Sequence, residues 1–186
     1  MKDKTEQILK AALQVFTKKG FSDSTTQEIA HEAQVAEVTL FRKFKTKQNL
    51  FLSTIQSVLM DKFDKIVLQS SQHEDTEQFL SKLLNERLTA ISKHQTIIKT
   101  LLSESLMGNL DPKIDIPMIM FRNLKSAMEH HFSMKQIPVD TDQLVRVFSG
   151  LLISYLVWSP TVPYHKLSKE EQSALTKQYV LLLKSF

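Results

Sequence analysis

A cluster of basic side chains near the N-terminus is the part of the sequence with the clearest chemical potential. Four Lys or Arg residues occur between Arg42 and Lys47, shortly after the acidic Glu37. Residues 1–50 carry a net charge of +3, out of +4 for the whole chain. A local positive cluster is typical of proteins that bind a polyanion, although a solvated helix face has the same composition.

Patterns expected of an enzyme or a metal site are not found. His130 and His131 are adjacent, so on a helix their side chains point about 100° apart and cannot chelate one ion. Glu129 beside them adds no known metal-ligand spacing. The sequence contains no cysteine and no Gly-rich phosphate loop. We therefore expect a protein that is not an enzyme and has no catalytic residues, metal or cofactor.

The composition favours a helical protein without membrane spans. Only three glycines and five prolines occur in 186 residues, which indicates long helices with few tight turns, and no strand-like alternation persists. The longest apolar stretch, near Gly150–Trp158, is far shorter than the ~20 residues of a membrane span. The N-terminus is charged and has no long apolar run, so no signal peptide is expected. We expect a soluble, cytoplasmic, all-α protein that does not bind membranes.

About nine helices are predicted from the spacing of apolar residues and from capping patterns. Capping boxes are expected at Asp3 with Glu6, Thr25 with Glu28, and Ser168 with Glu171, and Thr46 is a further N-cap. The predicted helices cover about 4–19, from 26 onward, 37–44, 47–69, 77–93, 96–107, 118–134, 141–158 and 169–184.

The second and third predicted helices have the spacing of a helix-turn-helix unit. Such a unit needs small residues where the helices approach and apolar residues that fix their angle. Those residues are Ala30, Ala33, Val35, Leu40 and Phe44. The opposite face of the third helix is then polar and of a size that enters a major groove. A helical hairpin with a solvated charged face is the alternative. In the first helix, the expected buried face is Leu9, Ala12, Leu13 and Phe16.

Residues 4–52 resemble the N-terminal DNA-binding domain of TetR-family transcriptional regulators. The resemblance is carried, in order and spacing, by the stretches ILKAALQVFTKKGF, TTQEIAHEAQV, TLFRKF and KTKQNLF. It implies a three-helix DNA-binding domain at residues 1–47 and a helical ligand-binding and dimerisation domain at residues 48–186. No motif is recognised in that second domain, but its length and all-helical segmentation agree with the family.

The resemblance also implies which residues contact DNA. Thr26 matches a position that contacts phosphate, as does Lys47, and the stretch from Thr39 to Lys43 matches the recognition helix. Physical chemistry agrees, since helix N-termini and Lys ammonium groups attract phosphate. The full set of expected DNA contacts is Thr25, Thr26, Gln27, Glu37, Val38, Thr39, Phe41, Arg42, Lys43 and Lys47.

The sequence departs from the family pattern at four positions in the turn and the third helix. Gln34 stands where the family has glycine in the turn, which costs roughly 1 kcal/mol in a left-handed conformation. Phe41 replaces a tyrosine whose hydroxyl binds phosphate, and Val38 replaces a small residue. Glu37 replaces a lysine or polar residue; it either accepts a hydrogen bond from cytosine N4 or simply favours the helix N-terminus through the dipole.

The last two predicted helices suggest a dimer. The helix at about 141–158 is apolar nearly all round, and the helix at about 169–184 has a wide apolar face, so both need extensive cover. We expect them to pair with a second subunit, and the alternative is that they fill the core of one chain. The expected interface residues are Leu151, Leu152, Tyr155, Leu175, Tyr179, Leu182 and Leu183.

A ligand pocket is expected in the second domain, where methionine and aromatic side chains adapt to irregular ligands. Ordinary core packing is the alternative for each of them. The candidate pocket residues are Met107, Met118, Phe121, Phe148, Tyr155 and Trp158. These features and the resemblance predict a ligand-responsive regulator that forms a homodimer, binds a near-palindromic DNA operator and responds to a small apolar or amphipathic effector. That it is a repressor, released from the operator by that effector, is implied by the resemblance alone. The alternative is an all-helical dimeric interaction protein that does not bind DNA specifically.

Overall fold

The fold is all-helical over the residues that the computed structural model describes, which are 4–60, 75–110 and 115–183. Within those ranges there are nine α-helices, one short 3-10 helix at Tyr164–Lys166, and no strand. The helices are α1 (Thr5–Lys19), α2 (Thr26–Glu32), α3 (Glu37–Phe44), α4 (Lys47–Met60), α5 (Thr76–Lys93), α6 (Gln95–Leu106), α7 (Ile116–Lys135), α8 (Thr141–Val157) and α9 (Lys169–Leu183). This confirms the predicted fold class; the predicted end of the fourth helix near residue 69 lies outside the described residues.

The helix starts follow the capping patterns in the sequence. The Thr25 hydroxyl accepts from the Glu28 amide, and the Glu28 carboxylate accepts from the Thr25 amide, both at 3.1 Å. Ser168 and Glu171 form the same reciprocal pair. Thr46 caps α4 by accepting from the Asn49 amide at 3.0 Å. These three predictions are confirmed, whereas the expected cap at Asp3 lies outside the described residues.

The first of two compact units comprises residues 1–61 and 96–116. In its core, α1 packs against α2 and α4. The buried face of α1 is formed by Ile8, Ala11, Ala12 and Phe16, while Leu9 and Leu13 are half-buried. The predicted face was therefore wrong by part of a turn. Both sets satisfy helical periodicity, and contact with α2 and α4 selects between them.

The second compact unit comprises residues 62–95 and 117–186. Its central element is α5, which packs against α8, α9 and the 3-10 helix. The buried residues of α5 recur at intervals of three and four, as expected for a helix covered along one broad face. They are Phe79, Leu80, Leu83, Leu84, Arg87, Leu88 and Ile91.

Tyr164 in the 3-10 helix anchors the segment between α8 and α9 onto α5. Its side chain is fully buried, and its hydroxyl donates to the side-chain oxygen of Asn85 at 2.7 Å. Burial raises the pKa of Tyr164 to about 12, so the phenol stays protonated and able to donate. Tyr164 lies between the predicted helices at about 141–158 and 169–184, where no pattern in the sequence indicated this anchor.

Candidate DNA-binding site

Helices α2 and α3 pack through small and apolar side chains, as the sequence predicts. Ala30 and Ala33 on α2 are almost fully buried, and so are Leu40 and Phe44 on α3. Leu40 and Phe44 are four residues apart, so both lie on one face of α3. Burial of that face fixes which residues of α3 point away from the unit.

The turn between α2 and α3 is a Schellman motif in which Gln34 takes the place of the usual glycine. The Val35 amide donates to the Ala30 carbonyl and the Gln34 amide to the His31 carbonyl, each at 3.0 Å. Gln34 has φ of +50°, the left-handed region in which a Cβ atom is crowded by the neighbouring carbonyl. The glutamine therefore serves in the turn at some cost in strain.

Gln34→Gly is expected to raise the free energy of unfolding by up to about 1 kcal/mol, because glycine adopts positive φ without that crowding. The greater freedom of glycine in the unfolded chain reduces the gain by a few tenths of a kcal/mol. Urea denaturation followed by circular dichroism measures the change. Gln34→Ala is the control, since it keeps the Cβ atom and should gain nothing. A glycine variant less stable than the alanine variant would contradict the assignment of strain to Gln34.

The exposed face of α3 combines apolar and basic side chains. Val38 is 73% exposed and Phe41 is 40% exposed, and Arg42 and Lys43 are also exposed. Thr39 is half-buried beside them. This face carries two positive charges and two apolar groups, which suits contact with phosphates and with thymine methyl groups.

Glu37 is held by a contact across the two helix starts. Its carboxylate accepts a hydrogen bond from the Thr26 hydroxyl at 2.7 Å. Thr26 is the first residue of α2 and Glu37 is the first residue of α3. The hydrogen bond therefore connects the two helix N-termini and gives Glu37 a defined structural partner, in addition to its favourable place at the positive end of the helix dipole.

Two further contacts tie this region to α1. The Lys43 ammonium donates to the Thr5 hydroxyl at 2.8 Å. The Gln7 side-chain amide donates to the Ala33 carbonyl at 2.7 Å, which satisfies an acceptor at the C-terminal end of α2. The role of Gln7 could not be predicted from the sequence, because a single polar residue on α1 gives no periodic signal.

The start of α2 exposes two polar side chains, those of Thr25 and Gln27. Thr25 is exposed but engaged in its capping box with Glu28, and Gln27 is exposed on the first turn. The hydrogen bond that Lys19 donates to Glu28 is the main reason that the pKa of this carboxyl lies below its usual value. Glu28 therefore stays ionised and keeps its bond to the Thr25 amide.

Lys47 points toward the connection between α1 and α2. Its ammonium donates to the carbonyl oxygens of Phe21 at 2.7 Å, Ser24 at 2.9 Å and Ser22 at 3.3 Å. It also lies 4.4 Å from the centre of the Phe21 ring. Burial lowers the pKa of Lys47, against the opposing effects of Glu104 and Asp23.

The residues expected to line a ligand pocket differ widely in exposure. Phe148 is completely buried, and Phe121 and Tyr155 are half-buried. Met118 is 41% exposed, and Met107 and Trp158 are 76% and 77% exposed. Within the second unit, Phe148, Phe121 and Tyr155 are therefore the members of the set that are shielded enough to contact an enclosed apolar ligand.

The residues expected at a dimer interface fall into three groups. Leu152 and Leu183 are buried within the chain itself, so their side chains belong to its own core. Leu182 is 61% exposed. The others are half-buried, namely Leu151, Tyr155, Leu175 and Tyr179. The hydroxyls of Tyr155 and Tyr179 lie 3.2 Å apart and join α8 to α9.

Three further exposed apolar side chains of α8 and α9 were absent from the predicted interface. On α8 these are Ile153 at 48% and Val157 at 61%, and on α9 Leu181 is 57% exposed. Ile153 and Val157 are four residues apart and share a stripe with the exposed Gly150. The helical pattern in the sequence contained this stripe, but without a defined core it could not show which side faces outward.

Within residues 4–60, 75–110 and 115–183, no group of three or more His, Asp or Glu side chains is placed to hold a metal ion. In the same ranges no helix has the length and apolar character that crossing a bilayer demands.

Comparison with known proteins matches the helix-turn-helix region to a family. Residues 8–54 match the family described as bacterial regulatory proteins, tetR family. A curated relative, the uncharacterized HTH-type transcriptional regulator YvkB of Bacillus subtilis (strain 168), is 33% identical over 147 residues, which is 75% of this chain and 66% of that protein. The chain spans about half the length of several other curated relatives that it matches.

Solved structures share the fold over nearly the whole chain. The fatty acid degradation regulator FadR from Bacillus halodurans has a TM-score of 0.73 at 21% identity, with 96% of each chain covered. The transcriptional regulator FadR from Bacillus subtilis, solved in complex with stearoyl-CoA, has a TM-score of 0.71 at 16% identity, again with 96% of each chain covered. That family and the curated relatives are transcriptional regulators and not enzymes. The helix-turn-helix packing and these matches confirm the predicted resemblance: the chain belongs to the TetR family of bacterial regulatory proteins.

Proposed function

We propose that this protein is a homodimeric repressor that binds a near-palindromic DNA operator and releases it when an amphipathic effector binds. The observation that carries the proposal is the exposed face of α3, where Val38, Phe41, Arg42 and Lys43 point outward while Leu40 and Phe44 anchor the helix. In this proposal α3 enters the major groove, which admits one α-helix.

The DNA contacts divide by chemistry. Arg42 and Thr39 are assigned to base edges and Val38 to thymine methyl groups, because these side chains project from the face that enters the groove. The start of α2, with Thr25, Thr26 and Gln27, and the basic Lys43 are assigned to the phosphate backbone. Phe41 contributes apolar contact only. These residues lie within residues 1–47, which we propose as the DNA-binding domain, with residues 48–186 as the regulatory domain acting in the cytoplasm.

The direct test is selection of bound duplexes from a random DNA pool, followed by affinity measurement on the selected sequence. We expect a near-palindromic site whose binding weakens steeply with salt, because phosphate contacts release counterions. Arg42→Ala should lower affinity for that site and relax preference at one base pair of each half-site, at a cost of about 1–3 kcal/mol. Arg122→Ala, the same change at an exposed position on α7, is the matched control.

Failure to enrich any sequence, together with no binding at low salt, would exclude the regulator proposal. It would favour instead the helical interaction protein that does not bind DNA specifically. Equal effects of Arg42→Ala on selected and random DNA would leave DNA binding intact but would reject Arg42 as a base contact.

Glu37→Gln is expected to strengthen binding to random DNA by roughly 3-fold to 10-fold, because a carboxylate near the phosphates is repelled by them. The glutamine can still accept from Thr26, so the link between α2 and α3 is kept. Fluorescence anisotropy with a random duplex at two salt concentrations measures the change. Glu32→Gln, which makes the same change at an exposed carboxylate on α2, is the control. Unchanged or weaker random binding would show that Glu37 does not face the DNA backbone.

A second copy of the chain is proposed to cover the exposed stripe of α8 and α9. Two helices from each subunit would then form a four-helix interface. Supporting it are the exposed apolar residues Ile153, Val157 and Leu181, together with the Tyr155–Tyr179 contact that holds the two helices side by side. A two-fold dimer would also give the paired half-site contacts that a palindromic operator requires.

The effector is proposed to be a molecule with a long apolar chain and a polar group. Support comes from the buried and half-buried aromatic side chains Phe148, Phe121 and Tyr155, and from the stearoyl-CoA complex of the B. subtilis FadR, which shares this fold. Titration of the DNA-bound protein with stearoyl-CoA is expected to release the DNA at micromolar concentrations. Coenzyme A without its acyl chain is the control. Equal release by both would show that the acyl chain is not what the protein binds.

Repression itself is tested in cells. A reporter gene placed behind the selected operator should be expressed less when the wild-type protein is present, and Arg42→Ala should restore expression. Increased expression with the wild-type protein would instead identify an activator.

A further inference from the structure

Two apolar side chains lie next to each other on the exposed face of α3. Val38 is 73% exposed and Phe41 is 40% exposed. They are three residues apart, so they are neighbours on the helix surface, with Cβ atoms about 5–6 Å apart. A single exposed apolar residue is ordinary. A neighbouring pair on the face proposed to enter the major groove instead forms a continuous apolar surface that DNA would cover.

Basic side chains border this apolar pair. Arg42 is four residues after Val38 and so lies beside it on the helix surface, and Lys43 follows. Both basic side chains are exposed, whereas Leu40 and Phe44 on the opposite face of α3 are buried. An apolar surface bordered by positive charge is complementary to a groove whose two edges are lined by phosphates. This complementarity points to duplex DNA as the molecule that covers the pair.

The chemistry of the pair selects one kind of group within the groove. The side chains of valine and phenylalanine have no hydrogen-bond donor or acceptor. Most groups that the bases present in the major groove are donors or acceptors, which lose hydrogen bonds to water without replacement when an apolar side chain covers them. The exception is the methyl group on C5 of thymine, and 5-methylcytosine carries a methyl group on the same ring carbon. The pair therefore matches pyrimidines that carry a C5-methyl group.

The spacing of the pair limits how far apart the two methyl groups lie. Successive bases are stacked about 3.4 Å apart along one strand. The distance of about 5–6 Å between neighbouring side chains on a helix corresponds to one or two of these steps. The two methyl groups should therefore belong to adjacent pyrimidines or to pyrimidines separated by one base pair.

We propose that Val38 and Phe41 are specificity-determining residues that bind the C5-methyl groups of two pyrimidines, one or two base steps apart, in each half-site of the operator. The proposal rests on the proposed DNA binding and specifies the chemical group that this part of α3 recognises. It adds Phe41, whose side chain forms no hydrogen bond, to the residues that read the base sequence. Arg42 and Thr39 keep their assignment to the hydrogen-bonding groups of base edges.

Replacement of thymine by deoxyuridine in the selected operator tests the proposal directly. It removes one methyl group and leaves the hydrogen-bonding groups of the base unchanged. We expect each half-site to contain two thymines, one or two steps apart, at which this replacement weakens binding about 4-fold, the effect of burying one methyl-sized group. Deoxyuridine at the other thymines should leave the affinity unchanged. Fluorescence anisotropy compares the duplexes, and an operator in which no thymine shows this sensitivity would overturn the proposal.

Cytosine methylation separates the methyl group from the rest of the thymine–adenine pair. At each sensitive position the pair is replaced by cytosine–guanine, with and without a methyl group on C5 of cytosine. We expect the methylated duplex to bind about 4-fold more tightly than the unmethylated one. Equal binding of the two duplexes at both positions would contradict methyl recognition. Recovery to the affinity of thymine would support recognition of either methylated pyrimidine, and a smaller recovery would support recognition of the methyl group with thymine as the base that the operator uses.

Variants of α3 assign each methyl group to a side chain. Val38→Ala is expected to bind thymine and deoxyuridine duplexes equally at one of the two positions and to stay sensitive at the other, and Phe41→Ala should show the converse. A general loss of folding lowers the affinity for every duplex alike, so loss of sensitivity at one position identifies a contact with DNA. Leu106→Ala, at a 77% exposed apolar position on α6, is the matched control and should keep both sensitivities. If both α3 variants also kept both, other residues would read the methyl groups and the proposal would be rejected.

Failure of this proposal and failure of the proposed function give different results. If the protein binds a selected operator but is indifferent to the methyl groups, DNA binding stands and only the role of Val38 and Phe41 is rejected. If no sequence is selected and no duplex is bound at low salt, the proposed function is rejected, and recognition of methyl groups is rejected with it.

Discussion

Ile153→Glu combined with Val157→Glu is expected to convert the proposed dimer into monomers and to weaken operator binding by at least about 100-fold. Both side chains lie on the exposed stripe of α8, and both are about half exposed in the single chain. Four glutamates would meet across a two-fold interface, where like charges without water repel strongly. A monomer binds one half-site only and loses the gain from simultaneous binding of two.

Sedimentation at micromolar concentration measures the association state, and anisotropy with the selected operator measures the affinity. Ile137→Glu is the control, because Ile137 is 42% exposed in the segment between α7 and α8 and is not part of the exposed stripe of α8. The circular dichroism spectrum of the charged double variant should match that of the wild type, which would show that its helices stay folded when the second subunit is lost. A double variant that remains dimeric would place the interface elsewhere on the protein.

Phe51→Ala is expected to lower the free energy of unfolding of the first unit by about 3–5 kcal/mol. Phe51 is 1% exposed, and its ring lies 4.8 Å from Phe16 and 4.6 Å from Phe21, measured between centres. The Phe16 contact is edge-to-face at 75°, a geometry that adds to the value of burial alone. Domains have total stabilities of about 5–15 kcal/mol, so this single change removes a large part of it.

Phe41→Ala is the matched control for that prediction. The same atoms are removed from a ring that is 40% exposed on the outer face of α3, so stability should change by less than about 0.5 kcal/mol. Urea denaturation, followed by the helical signal in circular dichroism, measures the free energy of unfolding of the two variants. If Phe41→Ala were as destabilising as Phe51→Ala, the assignment of Phe41 to the outer surface would be rejected.

Much of the fold could be predicted because its signals are local. The Thr25 and Ser168 capping boxes, the Thr46 cap and the bounds of α3 depend on residues three or four positions apart, which a sequence displays directly. Leu40 and Phe44 could be assigned to the buried face of α3 on the same basis.

What could not be predicted depends on contacts between distant residues. The Tyr164 hydroxyl meets Asn85 across 79 positions of the chain, and the Lys47 ammonium meets carbonyls more than 20 positions earlier. Thr26 and Glu37 are both residue types that can contact DNA. That the Thr26 hydroxyl also donates a hydrogen bond to the Glu37 carboxylate, at 2.7 Å, could be seen only in the structure. Likewise, the sequence shows that α8 is apolar on most sides. Which of those sides stays exposed depends on how α5 packs against α8.

The compact unit that carries α3 takes two separate parts of the chain, residues 1–61 and 96–116. This has a consequence for chimaeric regulators in which the DNA-binding region of one relative is joined to the effector-binding region of another. A junction placed just after residue 47 or residue 60 would exchange Ser22 and Lys47 but leave Glu104 from the original protein opposite a foreign segment. Functional hybrids of this protein should therefore exchange α6 together with α1 to α4, so that both contributors to the unit come from the same parent.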